Sequence, residues 1–492
     1  MERTRETPRR ARALVVLVAA LTLGSCGSGD GSAASVDSTL TTSPTVLEAP
    51  GEETAHGRLV RRFDAEVPLA YYNLAFTLSK RTGGITPPVQ ARIFAYTGLA
   101  LYESLVAGMP HQRSIVRHLN GFGRLPRAHG RYHWPLVASA ALAEVMRGLW
   151  GDATNVAAQN IADIDALEAQ WEAAASDVPA TLRNRSIDFG HAVGAAVFET
   201  STGDGENRAY LSNVSPSYVP PVGPGLWVPL PGQMAIQPSW ATNMRPFVSP
   251  GASCDPGPPP DYSETPGSVF YDQALEVYQV SSHLTPEQLI IARFWADGPG
   301  SIGGPGHSLS TTSEVLVELG ANLEQAAETF ARVGIADADA LLSCWFSKYT
   351  YNRIRPVTYI RKVIDPGYTT PLPTPAFPEY TSAHSVQTAA ALSTLQTLFG
   401  DVGYTDHTHD ADGFAPRSFD SLTDSMNETG ISRLYGGIHF HAAIFDGFAQ
   451  GRCVSATVNA LPWRRSDEDP EDEGGHGDVR SSPGQANWSP GR

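Results

Sequence analysis

The run KYTYNRIRP concentrates positive charge in a chain that is acidic overall. Lys348 and Arg355 lie seven residues apart, so on a helix they share nearly one face, whereas Arg353 faces elsewhere. Pro356 disfavours helix at the preceding residue, which predicts that the helix ends at Arg355. The surrounding stretch 341–364 contains no Asp or Glu. An isolated pair of cations is usually solvated, but unpaired like charges on one face indicate that they bind an external anion.

A second stretch combines a helix start with groups that bind oxyanions. In PAFPEYTSAHSVQTAAALSTLQTLF the apolar residues after His384 have helical spacing, and Thr381 or Ser382 is a natural N-cap. The free N–H groups and the positive dipole end of a helix N-terminus attract anions. Ser382 adds a hydroxyl, Ala383 a backbone N–H and His384 an imidazole. A single histidine in this position is more often a capping or core residue, so His384 alone would not indicate a site.

The third stretch, SRLYGGIHFHAAIFDG, again brings a guanidinium and an imidazole to helix ends. Gly436 and Gly437 are predicted to break the helical pattern, which leaves Arg433 before the break and His439 at the start of the next helix. Singly, these two residues would be interpreted as a surface arginine and a core histidine. The three stretches together supply Lys, Arg, Ser and His side chains that suit a tetrahedral or trigonal-bipyramidal oxyanion such as phosphate or vanadate.

Helices are the elements that must position these groups. Apolar residues recur every three or four positions over long parts of the chain, and alternating β-branched runs are rare. We therefore predict an all-α fold, a helix-bundle architecture with two unequal helical halves around one oxyanion site. The predicted helices cover residues 89–108, 134–150, 153–173, 182–200, 285–296, 309–333, 337–355, 384–399 and 439–461.

Composition changes along the chain predict six segments. The basic start followed by a short apolar stretch is typical of a signal peptide, and LGSC, ending at Cys26, resembles a bacterial lipobox; ordinary secretion is the alternative. The protein is therefore predicted to be exported, extracellular or in the cell envelope, and to touch a membrane only through a lipid anchor if Cys26 is lipidated. The segments are a signal peptide (1–26), a flexible linker (27–60), an N-terminal helical half (61–202), a Pro/Gly-rich connection (203–267), a C-terminal helical domain (268–463) and an acidic tail predicted to be disordered (464–492).

Charge and cysteine content limit the partners. The 492 residues carry a formal net charge of −16, which argues against nucleic-acid binding, since that function needs a basic surface. Besides Cys26 the chain has Cys254, Cys344 and Cys453, enough for one disulfide whose pairing the sequence does not define. The cluster DHTHDADG at 406–413 has the density of a metal loop, but a polar surface loop between helices is the favoured interpretation.

The order and spacing of the three stretches resemble the superfamily of type 2 phosphatidic-acid phosphatases and vanadium-dependent haloperoxidases. Its pattern is K-x6-RP, then PSGH, then SR-x5-H-x3-D. Here K-x6-RP and SR-x5-H are complete, and TSAH stands in place of PSGH. The stretches FWADGPGSIGGPGHS, PGLWVPLPG and TPPVQARIFAYTGLALYES resemble the soluble bacterial haloperoxidase-like branch, so the likeness covers roughly residues 65–462.

The resemblance implies a vanadate cofactor and a role for each site residue. His439 is expected to be the axial ligand to vanadium, and His384 the acid–base group for hydrogen peroxide. Asp297 resembles the acid that pairs with the cofactor-binding arginine. Trp345 and Phe377 stand where haloperoxidases have halide-site aromatics, and Phe377 is similar to the chloroperoxidase choice. The implied catalytic set is His384, His439, Lys348 and Asp297, and the implied cofactor-binding set is Lys348, Arg355, Ser382, Ala383, Arg433 and His439.

The activity implied is that of a vanadium-dependent haloperoxidase, in which hydrogen peroxide oxidises halide to hypohalous acid that halogenates a small organic acceptor. An acid phosphatase of the same fold, working through a phosphohistidine and inhibited by vanadate, is the first alternative. A non-catalytic oxyanion-binding lipoprotein is the second. The native acceptor, the halide preference and the oligomeric state, with a homodimer among the options, stay open.

Two departures from the superfamily pattern bear on that choice. Ala383 replaces Gly, which crowds the oxyanion loop but keeps its N–H. Ala443 stands where the family has the acid that orients the ligand histidine, and this gap weakens the phosphatase interpretation more than the haloperoxidase one. Asp446, two helical turns after His439, would substitute only if the helix geometry allowed it.

Overall fold

Helices dominate the computed structural model, which describes residues 59–152, 156–214, 217–236, 238–248, 251–298 and 300–465. The all-α prediction is confirmed, because one short antiparallel pair of strands, β1 (Tyr404–Asp406) and β2 (Arg417–Phe419), is the sheet structure of these residues. The helices are α1 (Glu66–Arg81), α2 (Pro87–Leu105), α3 (Trp134–Trp150), α4 (Ala157–Ala174), α5 (Ala180–Thr202), α6 (Val269–Ser281), α7 (Pro286–Phe294), α8 (Gly303–Glu318), α9 (Leu323–Tyr351), α10 (Pro356–Val363), α11 (Ala383–Phe399), α12 (Leu422–Tyr435) and α13 (His441–Asn459).

The long helix α9 is central to the fold. Its start is fixed by a capping box, in which the Asn322 and Gln325 side chains each accept a hydrogen bond from the other residue's backbone N–H at 3.0 Å. It is buried along most of its length and packs against α2, α11 and α13. The close approach of α2 requires Gly98, since a Cβ there would lie 2.5 Å from the Phe330 carbonyl oxygen. This packing holds the C-terminal turn of α9, and the site residues on it, in a rigid frame.

The predicted helices 309–333 and 337–355 are wrong in their boundaries. One helix ends before Gly320, whose φ of +61° closes it, and Asn322 caps the next one. The second helix then runs without a break to Tyr351. It ends there because Asn352 adopts a left-handed conformation with φ of 44°. Helix α9 therefore stops four residues before the expected end.

The pair α11 and α13 positions the second and third site stretches. Gly451 allows the two helices to touch, since a Cβ there would lie 2.1 Å from the Val386 carbonyl oxygen. The Ser382 backbone N–H also donates to the Ala443 carbonyl at 2.9 Å. The start of α11 is therefore fixed beside the first turn of α13.

The Pro/Gly-rich connection is ordered and pinned to the site loops over its described residues. It contains short 3-10 turns, and three backbone bonds tie it down: Trp227 N–H to Asn352 O at 2.6 Å, Ile354 N–H to Gly225 O at 2.9 Å, and Ile236 N–H to Ala376 O at 3.0 Å. A disulfide between Cys254 and Cys453 joins the same connection to α13. The sequence left this pairing open.

Periodicity alone missed four helices: α1, α6, α10 and α12. One continuous apolar core joins the N-terminal helices to the C-terminal ones, with Tyr72 of α1 stacked on Phe330 of α9 at 3.8 Å. Because this core is continuous, it does not define a boundary between two halves, and the predicted division stays a prediction. In the part of the chain described here, no helix combines the length and the apolar character needed to cross a membrane. The predicted signal peptide and nearly all of the linker and tail lie outside these residues.

Candidate active site

Lys348 lies fully buried on the last turn of α9. Its Nζ donates to the backbone carbonyls of Pro378 at 3.1 Å and Glu379 at 3.0 Å, and also to that of Thr381. These three carbonyls belong to the loop that leads into α11. The loop therefore holds the ammonium in place through polar but uncharged acceptors, and its positive charge is retained in the site.

Arg355 reaches the site from the N-cap of α10, not from the end of α9 as expected. Its backbone is extended, and Pro356 begins the next helix. Nε donates to Phe377 O and Nη1 to Ile438 O, both at 2.9 Å, and Nη1 lies 3.3 Å from His439 Nε2. The predicted convergence of this guanidinium with Lys348 holds, although the backbone route to it differs.

Arg353 stays outside the site, as its helix-face assignment predicted. Its guanidinium lies over the Phe270 ring at 4.0 Å and donates to the Pro260 carbonyl. Of the two neighbouring arginines, Arg353 therefore has a structural role and Arg355 belongs to the site.

His439 is held by an acid that the sequence analysis did not identify. Its Nδ1 lies 2.9 Å from Glu379 Oε1, and the same oxygen accepts the Phe440 backbone N–H at 2.9 Å. Both Glu379 and His439 are buried. The proposed substitute Asp446 does not reach His439, because its carboxylate accepts the Tyr380 hydroxyl at 2.9 Å. The helix geometry therefore does not allow Asp446 to substitute, and Glu379 is the acid that contacts His439 in place of the one missing at Ala443.

Ser382 is the N-cap of α11, as predicted, and its Oγ accepts the Ser385 backbone N–H at 3.4 Å. Ala383 and His384 are the first two helical residues. Their backbone N–H groups are among those that an α-helix leaves without an internal partner. The His384 side chain is 19% exposed, and its Nε2 lies 3.3 Å from Asp297 Oδ2. An anion at this helix start would meet N–H groups, a hydroxyl and an imidazole together.

Arg433, near the end of α12, completes the cationic set. It is 1% exposed, its Nε donates to the Ser432 hydroxyl at 2.9 Å, and its Nη2 donates to the Trp295 carbonyl. Asp297 stabilises its charge from nearby but, among the described contacts, forms no direct ion pair with it. The expected Asp297–arginine pair is thus present as a charge–charge interaction without a direct ion pair among the described contacts.

The Asp297 carboxylate instead faces three imidazoles. Oδ1 lies 3.1 Å from His307 Nδ1 and 3.2 Å from His409 Nε2, while Oδ2 faces His384. Burial alone would raise the pKa of Asp297, but the charge of His307, the hydrogen bonds with His307 and His409 and the nearby His384 imidazole hold it well below its usual value. Asp297 is therefore an ionised group directly behind His384.

His307 and His409 are themselves anchored by further acids. His307 stacks on Trp295 at 4.4 Å and its Nε2 pairs with Asp406 at 2.7 Å, while His409 Nδ1 pairs with Asp412 at 2.9 Å. The spacing of this cluster would admit a metal ion. However, each ring nitrogen of both histidines already has a carboxylate partner, so an ion-pair network accounts for it. The interpretation of 406–413 as a simple surface loop is wrong for Asp406 and His409, which are buried.

Trp345 and Phe377, the two expected halide-site aromatics, lie together beside the cations. The Phe377 ring centroid is 5.0 Å from Lys348 Nζ and 5.0 Å from the Arg355 guanidinium carbon. The Trp345 indole N–H points to the Ile236 carbonyl at 3.4 Å. An apolar wall thus adjoins the positive charges, which is an environment suited to a weakly hydrated anion.

The pKa shifts show how crowded with positive charge this space is. Burial lowers the pKa of Lys348 to about 8 and those of Arg355 and Arg433 to about 10, and the charge of Arg355 adds to the effect on Lys348. Burial and Arg433 lower the pKa of His384 to about 4. Burial, followed by Arg355, Lys348, Arg433 and His384, holds the pKa of His439 well below its usual value. Both imidazoles are therefore neutral at pH 7, and the three cations surround His439.

An oxyanion fits this arrangement. Arg355 Nη2 is buried and lacks a hydrogen-bond partner within the described part of the chain. A guanidinium nitrogen can only donate, so this atom calls for an acceptor. A trivalent or divalent oxyanion would supply that acceptor and would also balance the charges of Lys348 and Arg433.

Glu379 and His307 were not assigned a role from the sequence, and Asp406 and His409 were interpreted as part of a surface loop. Glu379 stands five residues before His384 in the quoted stretch, so an acid beside the predicted oxyanion motif was the available signal. The others come from separate segments, and only their convergence on Asp297 reveals them.

Comparisons with known proteins agree with this geometry. A family model described as the VCPO second helical-bundle domain matches residues 328–463. Comparison with curated protein sequences finds no match. A bacterial vanadium-dependent chloroperoxidase, solved in apo and holo forms, is 16% identical, with TM-scores of 0.61 and 0.59, over 77% of this chain and 94% and 92% of those chains. At this identity the likeness shows the fold.

A structure described as that of the first bacterial vanadium-dependent iodoperoxidase is more similar. It shares 32% sequence identity and a TM-score of 0.73, covering 82% of this chain and 98% of that chain. The match thus spans nearly the whole of the related protein. With this identity, this coverage and this fold, the chain belongs to the vanadium-dependent haloperoxidase family.

Proposed function

We propose that the protein is a vanadate-dependent haloperoxidase that uses hydrogen peroxide to oxidise halide to hypohalous acid. The observation that carries the proposal is the neutral His439 Nε2 facing a space bounded by three buried cations, one of which, Arg355, has an unpartnered donor. When bound, vanadate would act as a Lewis acid that activates hydrogen peroxide towards halide. The net reaction consumes hydrogen peroxide, halide and one proton and yields hypohalous acid and water.

The residues that would hold vanadate are those of the cationic site. His439 offers a lone pair on Nε2, because its Nδ1 faces Glu379. Lys348, Arg355 and Arg433 neutralise negative charge, and Ser382 with the first N–H groups of α11, including that of Ala383, offers hydrogen bonds. The loop carbonyls hold Lys348 as a fixed charge, and at pH 7 its pKa of about 8 leaves it mostly protonated.

His384 is the group placed to move protons. As a neutral imidazole it can accept a proton from hydrogen peroxide, and the ionised Asp297 near its Nε2 stabilises the imidazolium that results. Proton transfer therefore needs no change in the charge of Asp297.

The halide is proposed to approach along the Trp345 and Phe377 rings, beside Lys348. The related bacterial structure is that of an iodoperoxidase, and iodide is the halide most readily oxidised, so iodide is the first substrate to test. A small organic acceptor would then be halogenated by the released hypohalous acid.

Activity of the vanadate-loaded protein is the direct test. Purified protein is stripped with chelator in phosphate-free buffer, reloaded with orthovanadate, and assayed with hydrogen peroxide and iodide, bromide or chloride in parallel. Triiodide formation or bromination of a diketone dye that requires vanadate is expected. If no vanadate-dependent turnover is found with any of the three halides, the proposal is contradicted.

A second candidate, phosphatase activity of the vanadate-free protein, has a specific observation in its favour. A nucleophilic histidine needs an acid to orient it, and Glu379 supplies one where Ala443 does not. Hydrolysis of p-nitrophenyl phosphate by the vanadate-free protein, inhibited by added vanadate, is the expected sign of this activity. Hydrolysis that persists in saturating vanadate would come from another site.

We also propose that the protein is exported. The N-terminal pattern supports this, and so does the Cys254–Cys453 disulfide, since such bonds persist in oxidising compartments. Cell fractionation with a C-terminal tag, combined with mass analysis of the mature N-terminus, would separate a lipidated Cys26 from ordinary secretion. Unprocessed protein in the cytosol would contradict export.

A further inference from the structure

We infer that Glu379 is the positioning residue that orients His439 and fixes its tautomer, taking over the role of an acid that is missing from the helix after it. The inference deepens the proposed function and rests on it for the identity of the bound anion. Glu379 belongs to the loop before α11. The acid of the superfamily pattern would stand at position 443, on α13, four residues after His439.

Helix α13 offers no acid that can orient His439. Position 443, one turn into the helix, is an alanine whose carbonyl accepts the Ser382 N–H. Asp446 points away and binds the Tyr380 hydroxyl. Within the described residues, Glu379 is the carboxylate in contact with His439 Nδ1.

Glu379 is itself held at four points, so its carboxylate has little freedom. Oε1 accepts both His439 Nδ1–H and the Phe440 N–H, each at 2.9 Å. Its backbone N–H donates to the Arg353 carbonyl at 2.9 Å, and its backbone carbonyl accepts from Lys348 Nζ at 3.0 Å. One residue thus connects the site ammonium to the site imidazole and sets both relative to the same loop.

The tautomer follows from this contact. Oε1 already accepts the Phe440 N–H, and burial raises the pKa of Glu379 to about 7. Above that pH Glu379 is a carboxylate that can only accept, so the Nδ1 atom of His439 carries the proton. Nε2 then presents its lone pair towards Arg355 Nη1, 3.3 Å away, and towards the space between the cations. Either a metal–nitrogen bond or attack on phosphorus needs this lone pair. Loss of the carboxylate would let the proton move to Nε2, where it would block both.

The contact predicts a measurable loss of affinity. Removing a carboxylate that orients a ligand histidine typically lowers affinity about 10- to 100-fold. Glu379→Gln nearly preserves volume, but its amide can turn its NH₂ towards Nδ1 and favour the wrong tautomer. Asp446→Asn is the matched control, because it removes the same charge from an acid that lies near the site without touching His439.

The experiment combines a binding measurement with a spectroscopic one. Orthovanadate affinity is measured by calorimetry for the wild type, Glu379→Gln and Asp446→Asn. The tautomer of His439 is read at pH 8, above the raised pKa of Glu379, from ¹⁵N chemical shifts of the vanadate-free wild type, with His439→Gln used for assignment. We expect Nδ1–H in the wild type, a loss of vanadate affinity of about 10- to 100-fold for Glu379→Gln, and a change of less than about twofold for Asp446→Asn.

Two results would overturn the inference. One is a proton on Nε2 of His439 in the vanadate-free wild type, and the other is unchanged vanadate affinity in a folded Glu379→Gln variant. The spectrum needs no bound anion and no turnover. A failure of the haloperoxidase proposal would therefore leave the role of Glu379 testable, and the two failures are distinguishable.

Discussion

The rings of Trp345 and Phe377 lie 5.0 Å apart, centroid to centroid, with their planes inclined at 48°. The pair comes from two elements far apart in sequence, the end of α9 and the loop before α11. Phe377 also faces both Lys348 and Arg355. The two rings therefore form a single buried apolar wall, and the Phe377 ring in it faces two cations next to the proposed vanadate position.

Replacing Phe377 should weaken halide binding more than peroxide binding. In Phe377→Leu the ring that faces two cations is lost, and each such contact contributes about 0.5–2 kcal/mol. We expect the KM for iodide to rise about 3- to 10-fold, with the KM for hydrogen peroxide changed less than about twofold. Steady-state kinetics of the vanadate-loaded variant measure both. Equal increases in the KM for iodide and the KM for hydrogen peroxide would mean that Phe377 maintains the structure of the whole site and does not act on the halide in particular.

Arg355→Lys should lower vanadate affinity although the charge is kept. The donors of a lysine are all on one nitrogen, so it cannot span Phe377 O, Ile438 O and the anion as the Nε, Nη1 and Nη2 atoms of the planar guanidinium do. We expect vanadate binding to weaken about 10- to 100-fold, as for the loss of one or two charge-assisted hydrogen bonds. Calorimetric titration with orthovanadate measures the change.

Arg353→Lys is the control for that substitution. Arg353 is also buried but binds Pro260 and Phe270, away from the anion. Its replacement should lower thermal stability and leave the vanadate affinity of the folded protein within about twofold of the wild type. Similar losses of vanadate affinity in both variants would mean that the loss comes from a disturbed loop between α9 and α10 and not from the Arg355 guanidinium.

Local patterns were enough to identify the groups that contact the proposed anion. Ser382 is an N-cap because a short side chain precedes a helical apolar pattern, and that local rule places Ala383 and His384 at the anion-binding end. The pairing of Lys348 with Arg355 was predicted from a seven-residue helical spacing. Their convergence is real, although the chain between them leaves the helix at Asn352 and returns through an extended residue.

Long-range contacts explain what the sequence did not predict. Glu379 meets His439 across 60 residues, and neither local pattern contains the other partner. Likewise, His307 and His409 approach Asp297 only because α8 and the loop after β1 fold against each other. The full length of α9 was not predicted for a different reason. Nothing local in its sequence shows that the helix continues, and packing on α2, α11 and α13 stabilises it as one continuous helix.

Removing the disulfide should destabilise the fold without changing the site chemistry. Cys254 and Cys453 are 199 residues apart in sequence, and their bond ties the irregular connection to α13. The Cys254→Ser, Cys453→Ser double variant should lose about 3–5 kcal/mol of unfolding free energy. Denaturant titration measures the loss, and dithiothreitol should shift the midpoint of the wild type but not that of the variant. A second reactive thiol besides Cys344 in denatured, unreduced mature residues 27–492 would contradict the bond.

Glu103 of α2 provides a test of pH dependence that is remote from the site. Its carboxylate is buried and accepts the Ile115 N–H at 2.9 Å, and burial raises its pKa from 4.5 to about 7. Because the folded pKa lies above the unfolded one, protonation favours the fold. The stabilisation is fully present below about pH 4.5 and is lost as the pH rises through 7, at a cost of about 3 kcal/mol.

Glu103→Gln should therefore gain stability relative to the wild type as the pH increases. The amide oxygen can keep the bond from Ile115 N–H, and the variant has no charge to bury. We expect the difference in unfolding free energy, variant minus wild type, to rise by about 2–3 kcal/mol between pH 5 and pH 8, measured by urea titration. Glu199→Gln, at an exposed position of α5, should show no such rise. A pH-independent difference for Glu103→Gln would mean that Glu103 ionises in the folded protein as readily as in the unfolded chain.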